Sequence, residues 1–287
     1  MSSNELNTVQ LPWPAADTNK YSRGKLTVVA GSARYSGAAV LAALASQRMG
    51  AGYTEVITDP SAVNVVRLSS PSLVVRPSDD WKPSELKSSE PDKPCAVCIG
   101  PGFTAEDDHA ADLVARVLKK APCPVLVDGG GLARLATKKN LQTLATRFTD
   151  GLTTVITPHG GEAARLAASL GLPTGNSEKL AAGLSLATQA IVVLKGPDTF
   201  VSNGKRTECM TIGTPALAKA GTGDVLAGMI ASLLAQGVPP FDAALLGTTL
   251  HAMAGKTAAE LYTEISVVAE DVITAIPQAI RIYNESL

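Results

Sequence analysis

Cys95-Ala96-Val97-Cys98-Ile99-Gly100-Pro101-Gly102 is the stretch on which the fold turns. A continuous apolar run that stops at glycine reads as a strand buried on both faces. A helical pattern from about Glu106 to Lys119 follows, and Val125-Leu126-Val127 then ends in Asp128-Gly129-Gly130. Strand, helix and strand in succession make a crossover unit, and its two strands must run parallel.

The same alternation extends in both directions. Upstream, Lys25-Leu26-Thr27-Val28-Val29-Ala30 is a strand halted by Gly31. An Ala-rich helix runs from about Gly37 to Met49, a strand from Tyr53 to Thr58, and a short helix begins near Ser61. Leu73 to Arg76 is a further strand candidate. Ser78 to Pro94, rich in Pro, Ser and charge, reads as a surface excursion. Downstream, Thr154-Val155-Ile156 ends in Thr157-Pro158-His159, and helices are expected from about Gly161 and over about Ser177 to Gln189. Ile191 to Leu194 is a strand that ends in Lys195-Gly196.

The pattern then changes. Thr199-Phe200-Val201 and Arg206 to Met210 flank Asn203-Gly204, the signature of a hairpin with a type I′ turn. Three helices follow, over about Asp224 to Gln236, Pro240 to Leu261, and Val267 to Tyr283, with Pro277 as an expected kink. The class is α/β: a three-layer αβα sandwich around a mostly parallel sheet with antiparallel edge strands. Residues 1–287 read as one domain with an irregular lead-in over 1–20 and no short internal repeat.

Composition narrows the function. Lys+Arg (25) balances Asp+Glu (26), so the basic excess of a nucleic-acid binder is missing. Aromatics at 4% leave little for base stacking. Cys95 and Cys98 form a C-x-x-C without a second pair or a His-rich partner, which fits two small strand residues better than a redox or zinc motif. Met1 to Gln10 is polar and lacks an apolar signal core, and no apolar stretch is long enough to cross a membrane. A cytoplasmic protein is expected.

Ligands of parallel sheets bind at the carboxyl ends of the strands. Five expected strands end there in Gly31-Ser32, Gly100-Pro101-Gly102, Asp128-Gly129-Gly130, Thr157-Pro158-His159 and Lys195-Gly196. One glycine turn is punctuation; five on one rim outline a site. The strongest element is Ala220-Gly221-Thr222-Gly223-Asp224, which opens an apolar helix. Its glycines free backbone N–H groups at the positive end of a helix, a place for phosphate. Asp224 in that first turn could simply suit the helix dipole. A carboxylate beside a phosphate site, however, fits a base that takes the proton of an attacking hydroxyl.

His159 is either a structural hydrogen-bonding group or a substrate contact, and Glu162 can be an ordinary first-turn acid. Lys195, ending a buried strand, needs an anion partner, and a phosphate or ribose contact is expected there. His251 reads as a packing residue within its helix, and His109 as a solvated one. There is no G-x-x-x-x-G-K-[ST] and no G-x-G-x-x-G after the first strand. No His or Asp cluster has metal-ligand spacing, so Mg²⁺ would be held by nucleotide phosphates and water.

The ordered set of motifs resembles the ADP- or ATP-dependent NAD(P)H-hydrate dehydratase family of the ribokinase-like superfamily. It comprises Val29-Ala30-Gly31-Ser32 with Tyr35-Ser36-Gly37-Ala38, Arg48-Met49-Gly50-Ala51-Gly52, Ile99-Gly100-Pro101-Gly102 and Thr157-Pro158-His159 with Gly161-Glu162. Leu194-Lys195-Gly196, Leu217-Ala218 with Gly221-Thr222-Gly223-Asp224, and Leu250-His251 complete it. The resemblance implies metabolite repair: dehydration of (S)-NAD(P)H hydrate through phosphorylation of its hydroxyl and loss of phosphate. It implies Asp224 as base and substrate contact, and Gly221, Thr222 and Gly223 around the phosphates. Lys195, Gly196, Pro197, Asp198 and Thr199 would contact the adenine nucleotide, and Ala38, Gly102 and His159 the hydrated dinucleotide. ADP or ATP with Mg²⁺, and a homo-oligomer, are implied in the same way. Ala220, preceded by Lys219, stands where the family usually has a second glycine, and Gly160 where it usually has proline. Two rival readings share the loop: a small-molecule kinase of the same superfamily, and a catalytically inactive nucleotide-binding sensor.

Overall fold

The computed structural model describes residues 9–287. Met1 to Thr8, most of the polar N-terminal stretch, lies outside the described residues. One nine-stranded sheet has the order β3-β2-β1-β4-β5-β6-β7-β8-β9. Its strands are β1 (Lys25–Val29), β2 (Tyr53–Thr58), β3 (Val74–Pro77), β4 (Cys95–Ile99), β5 (Val125–Val127), β6 (Thr154–Ile156), β7 (Ile191–Leu194), β8 (Thr199–Ser202) and β9 (Thr207–Met210). β1 to β7 pair parallel, whereas β7–β8 and β8–β9 pair antiparallel. The chain builds outward from β1 in one direction and from β4 in the other. The order therefore reverses between β1 and β4, the place where such sheets open a crevice.

Each face of the sheet carries its own apolar core. On one side pack α1 (Ser36–Arg48), α2 (Val63–Ser69), α7 (Thr222–Ala235), α8 (Pro240–Tyr262) and α9 (Ala269–Glu285). On the other lie α3 (Asp108–Lys120), α4 (Lys138–Thr149), α5 (Gly160–Leu170) and α6 (Ser177–Thr188). The expected three-layer αβα sandwich is observed. β4 shows why its sequence is continuously apolar. Ala96 and Cys98 enter the first core, and Cys95, Val97 and Ile99 enter the second. Cys95 and Cys98 therefore face opposite sides of the sheet as free, buried thiols, which rules out a disulfide across the C-x-x-C.

Two local expectations need correction. The hairpin is present, but of its two turn residues only Gly204 has a positive φ (81°), so the turn is not type I′. Asn203 instead closes it by accepting hydrogen bonds from the backbone N–H groups of Lys205 and Arg206. The Ser78–Pro94 excursion is not wholly on the surface, since Trp81, only 4% exposed, packs into the second core. Pro277 lies inside α9, within the helix where the sequence places it.

α4 is the element that the alternation of the sequence does not announce. Its apolar contact is thin, and its anchor is Arg147, 3% exposed. The guanidinium donates to the carbonyls of Leu118, Ala121 and Cys123 and to the Thr154 hydroxyl. It thereby ties the α3 C-terminus to β6 without a carboxylate partner. Arg147→Met leaves several buried carbonyls without donors. We expect a loss of about 3–5 kcal/mol in urea denaturation; a loss under about 1 kcal/mol would show that water replaces the guanidinium there.

Candidate active site

The C-terminal rim of the sheet is built where the sequence places its glycines. At the β1/β4 switch point, the Gly31 N–H donates to the Pro101 carbonyl at 2.8 Å. The Ser32 hydroxyl donates to the Gly102 carbonyl at 2.8 Å. Gly102 has φ +73°, and a Cβ there would lie 2.6 Å from the Tyr35 carbonyl and 2.8 Å from the Ala38 Cβ. Ala38 and Gly102, far apart in sequence, thus form one wall.

Beyond β4, the next three strands, β5, β6 and β7, deliver a polar centre. Asp128, at the end of β5, is 3% exposed. One of its oxygens accepts from the Thr157 hydroxyl at 2.6 Å and from Lys195 Nζ at 2.8 Å. Lys195 extends β7 and meets His159 in an isolated parallel bridge, which sets both on the rim. Burial acts to lower Lys195, but the Asp128 carboxylate, with Glu162 and Asp224 beyond it, holds the ammonium above its ordinary range. His159 caps α5: its Nδ1 accepts from the Gly161 N–H at 3.1 Å, while its own N–H donates to Glu162 at 2.8 Å. The imidazole is otherwise exposed, with Nε2 3.5 Å from Glu162. Burial pushes the Glu162 carboxyl up, against the opposing pull of Lys195 and the His159 N–H.

The N-terminus of α7 faces this centre. Gly221 is the N-cap at φ +92°, and no side chain caps the helix. The N–H groups of its first turn therefore have no helix carbonyl to meet. Twelve of the fourteen residues of α7 are buried, so its dipole ends in a poorly screened place. A Cβ at Gly223 would sit 3.3 Å from Lys195 Nζ, so the ammonium lies against this turn. Thr222 turns its hydroxyl to the carbonyls of Leu217 and Lys219, at 2.7 and 2.9 Å, and leaves the anion position to the backbone.

Asp224 stands in the same turn, half-buried. Burial, and then the charge of Asp128, push its carboxyl up to about 7, against the opposing pull of Lys195. A carboxyl balanced near neutrality can take up a proton and release it again.

The structure brings Lys195, Gly223 and Asp224 together, with His159 at the edge, and sets Ala38 and Gly102 in a separate wall on the same rim. Gly196, Pro197 and Asp198 are exposed on the turn into β8, with Thr199 partly covered. Asp128 and Thr157 are central, although neither is singled out as a site residue by the sequence, which marks each only as the first residue of a strand end on the rim. His251 is buried within α8, as expected of a packing residue. It is 8% exposed beside Thr222, burial lowers its imidazole to about 4, and Nε2 has no hydrogen-bond partner.

Gly221→Ala places a side chain in a left-handed backbone, with its Cβ 2.6 Å from Leu41 Cδ1 and 3.0 Å from the Ala269 Cβ. We expect a loss of about 1–3 kcal/mol in thermal unfolding. Loss of the stabilisation conferred by added ADP or ATP should accompany it. Retention of that ligand shift would remove the loop from the nucleotide site.

These features fit a polyphosphate: free N–H groups at a helix end, glycines that admit close approach, and a buried ammonium. Among the described residues no group of three or more His, Cys, Asp or Glu could hold a metal ion.

Comparison with known proteins agrees. The family model described as NAD(P)H-hydrate dehydratase matches residues 26–278. The chain is 33% identical over 278 residues to the ADP-dependent (S)-NAD(P)H-hydrate dehydratase of Xanthomonas campestris, covering 93% of this chain and 91% of that one. It is 35% identical to the bifunctional NAD(P)H-hydrate repair enzyme Nnr of Gloeobacter violaceus over 89% of its own length, but spans only 49% of that relative. Among solved structures, the ADP/ATP-dependent NAD(P)H-hydrate dehydratase of Bacillus subtilis, co-crystallised with ATP and Mg²⁺, superposes with a TM-score of 0.80. Identity there is 27%, with 95% of this chain and 94% of that chain covered. The ribokinase of Thermotoga maritima shares the fold alone, with a TM-score of 0.56 at 14% identity, over 89% of this chain and 99% of that one. The rim built from the sequence's glycines, and the family match that runs through nearly all of it, lead to one conclusion: this chain belongs to the NAD(P)H-hydrate dehydratase family.

Proposed function

We propose that this chain is a nucleotide-dependent (S)-NAD(P)H-hydrate dehydratase, a repair enzyme that returns hydrated NADH or NADPH to the reduced coenzyme. One observation carries the reading: Asp224, poised near neutrality, stands in the first turn of an uncapped, buried helix that faces the Lys195–Asp128 pair. Asp224 accepts the proton of the hydrate's hydroxyl as that oxygen attacks the terminal phosphorus of ADP or ATP. The N–H groups of Gly221, Thr222 and Gly223 and the Lys195 ammonium take up the charge that develops on the phosphate oxygens. The phosphorylated carbon then loses phosphate. The neighbouring C–H bond gives up its proton to water, and its electrons restore the ring double bond. Mg²⁺, bound with the nucleotide, supplies charge neutralisation.

The turn from Lys195 to Thr199 borders the nucleotide, and Ala38, Gly102 and His159 border the hydrated dinucleotide. Residues 1–287 act as one domain. No helix among the described residues is long and apolar enough to cross a membrane. We place the enzyme in the cytoplasm, as a homo-oligomer, with no nucleic-acid partner.

The test is to mix the protein with NADH hydrate, Mg²⁺ and ADP or ATP, and to follow the reduced-nicotinamide absorbance and inorganic phosphate together. Recovery of the band, with one phosphate released per NADH, is expected. A stable phosphorylated product without recovery would indicate a kinase. Nucleotide binding with neither change would indicate a sensor.

A further inference from the structure

Arg48-Met49-Gly50-Ala51-Gly52, singled out in the sequence, has no place on the catalytic rim. It ends α1 and leads into β2, at the amino ends of the strands. α7 ends there too, at its C-cap Gln236. Along the helix, about 18 Å separates Gln236 from Asp224. The two helix ends are laced together. The Ser232 hydroxyl donates to the Ser46 carbonyl at 2.9 Å and accepts from the Ala51 N–H at 3.0 Å. The Gln236 amide donates to the Met49 carbonyl at 3.0 Å. Gly50 has φ +108°, and a Cβ there would lie 2.9 Å from Gln236 Oε1.

Against this junction the lead-in of the chain closes a cavity of about 150 Å³, the scale of one that admits benzene. Leu11, Met49 and Ile280 give it apolar walls. Trp13 lines it while 63% exposed, and its indole N–H donates to Asn284 Oδ1 at 3.3 Å, which fixes the ring. A ring that is held yet uncovered is a stacking surface. Arg23 and Arg48 also line the cavity, and no Asp, Glu or His does so among the described residues. Neither arginine pairs with a carboxylate of the described residues. Arg23 donates once, to the Gly50 carbonyl at 3.2 Å. The simplest role for both is to face the negative ends of α1 and α7. The charges do not balance, however. Two full positive charges meet two helix ends of roughly −0.5 each, and about one positive charge is left over.

We propose that this cavity is a second binding site, apart from the catalytic rim, for a small aromatic or heteroaromatic carboxylate. The ring fills the apolar part and stacks on Trp13. The carboxylate, a flat monoanion, accepts hydrogen bonds from the two guanidiniums, whose planar forks match its two oxygens. Its single charge equals the surplus. A phosphate monoester would bring a charge near −2 to the carbonyl ends of two helices, where no free N–H groups receive it.

The test is calorimetric titration of the full chain with benzoate. Benzyl alcohol, acetate and phenyl phosphate serve as probes that lack the charge, lack the ring, or carry the larger charge. Benzoate is expected to bind one site with a dissociation constant of about 1 mM or below. Benzyl alcohol and acetate should bind at least tenfold more weakly, and phenyl phosphate no tighter than benzoate. Saturating ADP with Mg²⁺ should change the benzoate affinity less than twofold, because the first turn of α7 lies at the far end of the helix. Arg48→Gln should melt within about 2 °C of the wild type and yet bind benzoate at least fivefold more weakly. Trp13→Ala should weaken it by a similar factor. No saturable binding below about 10 mM would overturn the proposal. So would equal affinity for benzyl alcohol, tighter binding of phenyl phosphate, an unchanged affinity in Arg48→Gln, or displacement by ADP.

Discussion

Asp224→Asn is expected to lower turnover of NADH hydrate by about a thousandfold, within the range that general-base removal produces, and to leave nucleotide affinity within a few-fold. Asparagine fills the same volume and cannot accept the hydroxyl proton. The same substitution should stabilise the fold. The folded carboxyl sits at about 7 against an ordinary value of 3.8. Ionising it therefore costs stability progressively as pH rises from about 4 to 7, and the cost is complete above that. Because the group keeps some solvent contact, the penalty is on the order of 2 kcal/mol at pH 8. Asp224→Asn should thus melt a few degrees above the wild type at pH 8, and the gap should close by about pH 4. Calorimetry across that range checks the sign. A less stable variant at pH 8 would mean that the carboxylate is held by favourable contacts and not strained by burial.

Lys195→Met is expected to have a larger effect on stability. Lys195 and Thr157 are the two side chains that donate to Asp128, at 2.8 and 2.6 Å, and the Asp128 side chain is 4% exposed. Removing the ammonium leaves a buried carboxylate with one neutral donor. About 3 kcal/mol of stability should go with it at neutral pH. Activity should fall at least a hundredfold, because the site loses the cation nearest the transferred phosphate. A third effect separates electrostatics from collapse. Lys195 is the charge that pulls the Asp224 carboxyl down, so in the variant Asp224 should titrate above 7. The residual rate should then require a more alkaline pH. Lys195→Arg restores the charge without the compact ammonium. It should return the pH dependence toward the wild type while recovering only part of the rate. A Lys195→Met enzyme with the wild-type pH profile would detach Lys195 from Asp224.

How much could be read beforehand follows from the range of each interaction. The parallel sheet was legible because its strands are short apolar runs ended by glycine, a local signal. So was the loop before α7, where Gly221, Gly223 and Asp224 fall within four residues. The joining of Lys195 to Asp128 was not, since 67 residues separate them and only the adjacency of β5, β6 and β7 brings them together. His251 was legible as packing because its neighbours in α8 are apolar, whereas its place against Thr222 depends on how α7 and α8 meet. α4 escaped notice because Arg147 holds it through carbonyls of α3 and the strand connections, contacts without a periodic trace. The Asn203-Gly204 pair signalled a hairpin correctly and its turn type wrongly, since Asn203 closes the turn through its side chain without a positive φ of its own.

The decisive measurement is the pH dependence of kcat/KM for NADH hydrate in the wild-type chain, followed by recovery of the reduced-nicotinamide band at saturating nucleotide. A base with its pKa at about 7 gives a rate that falls tenfold per pH unit below neutrality and is level above it. A profile that stays level down to pH 5 would contradict Asp224 as a base poised by burial at the head of α7.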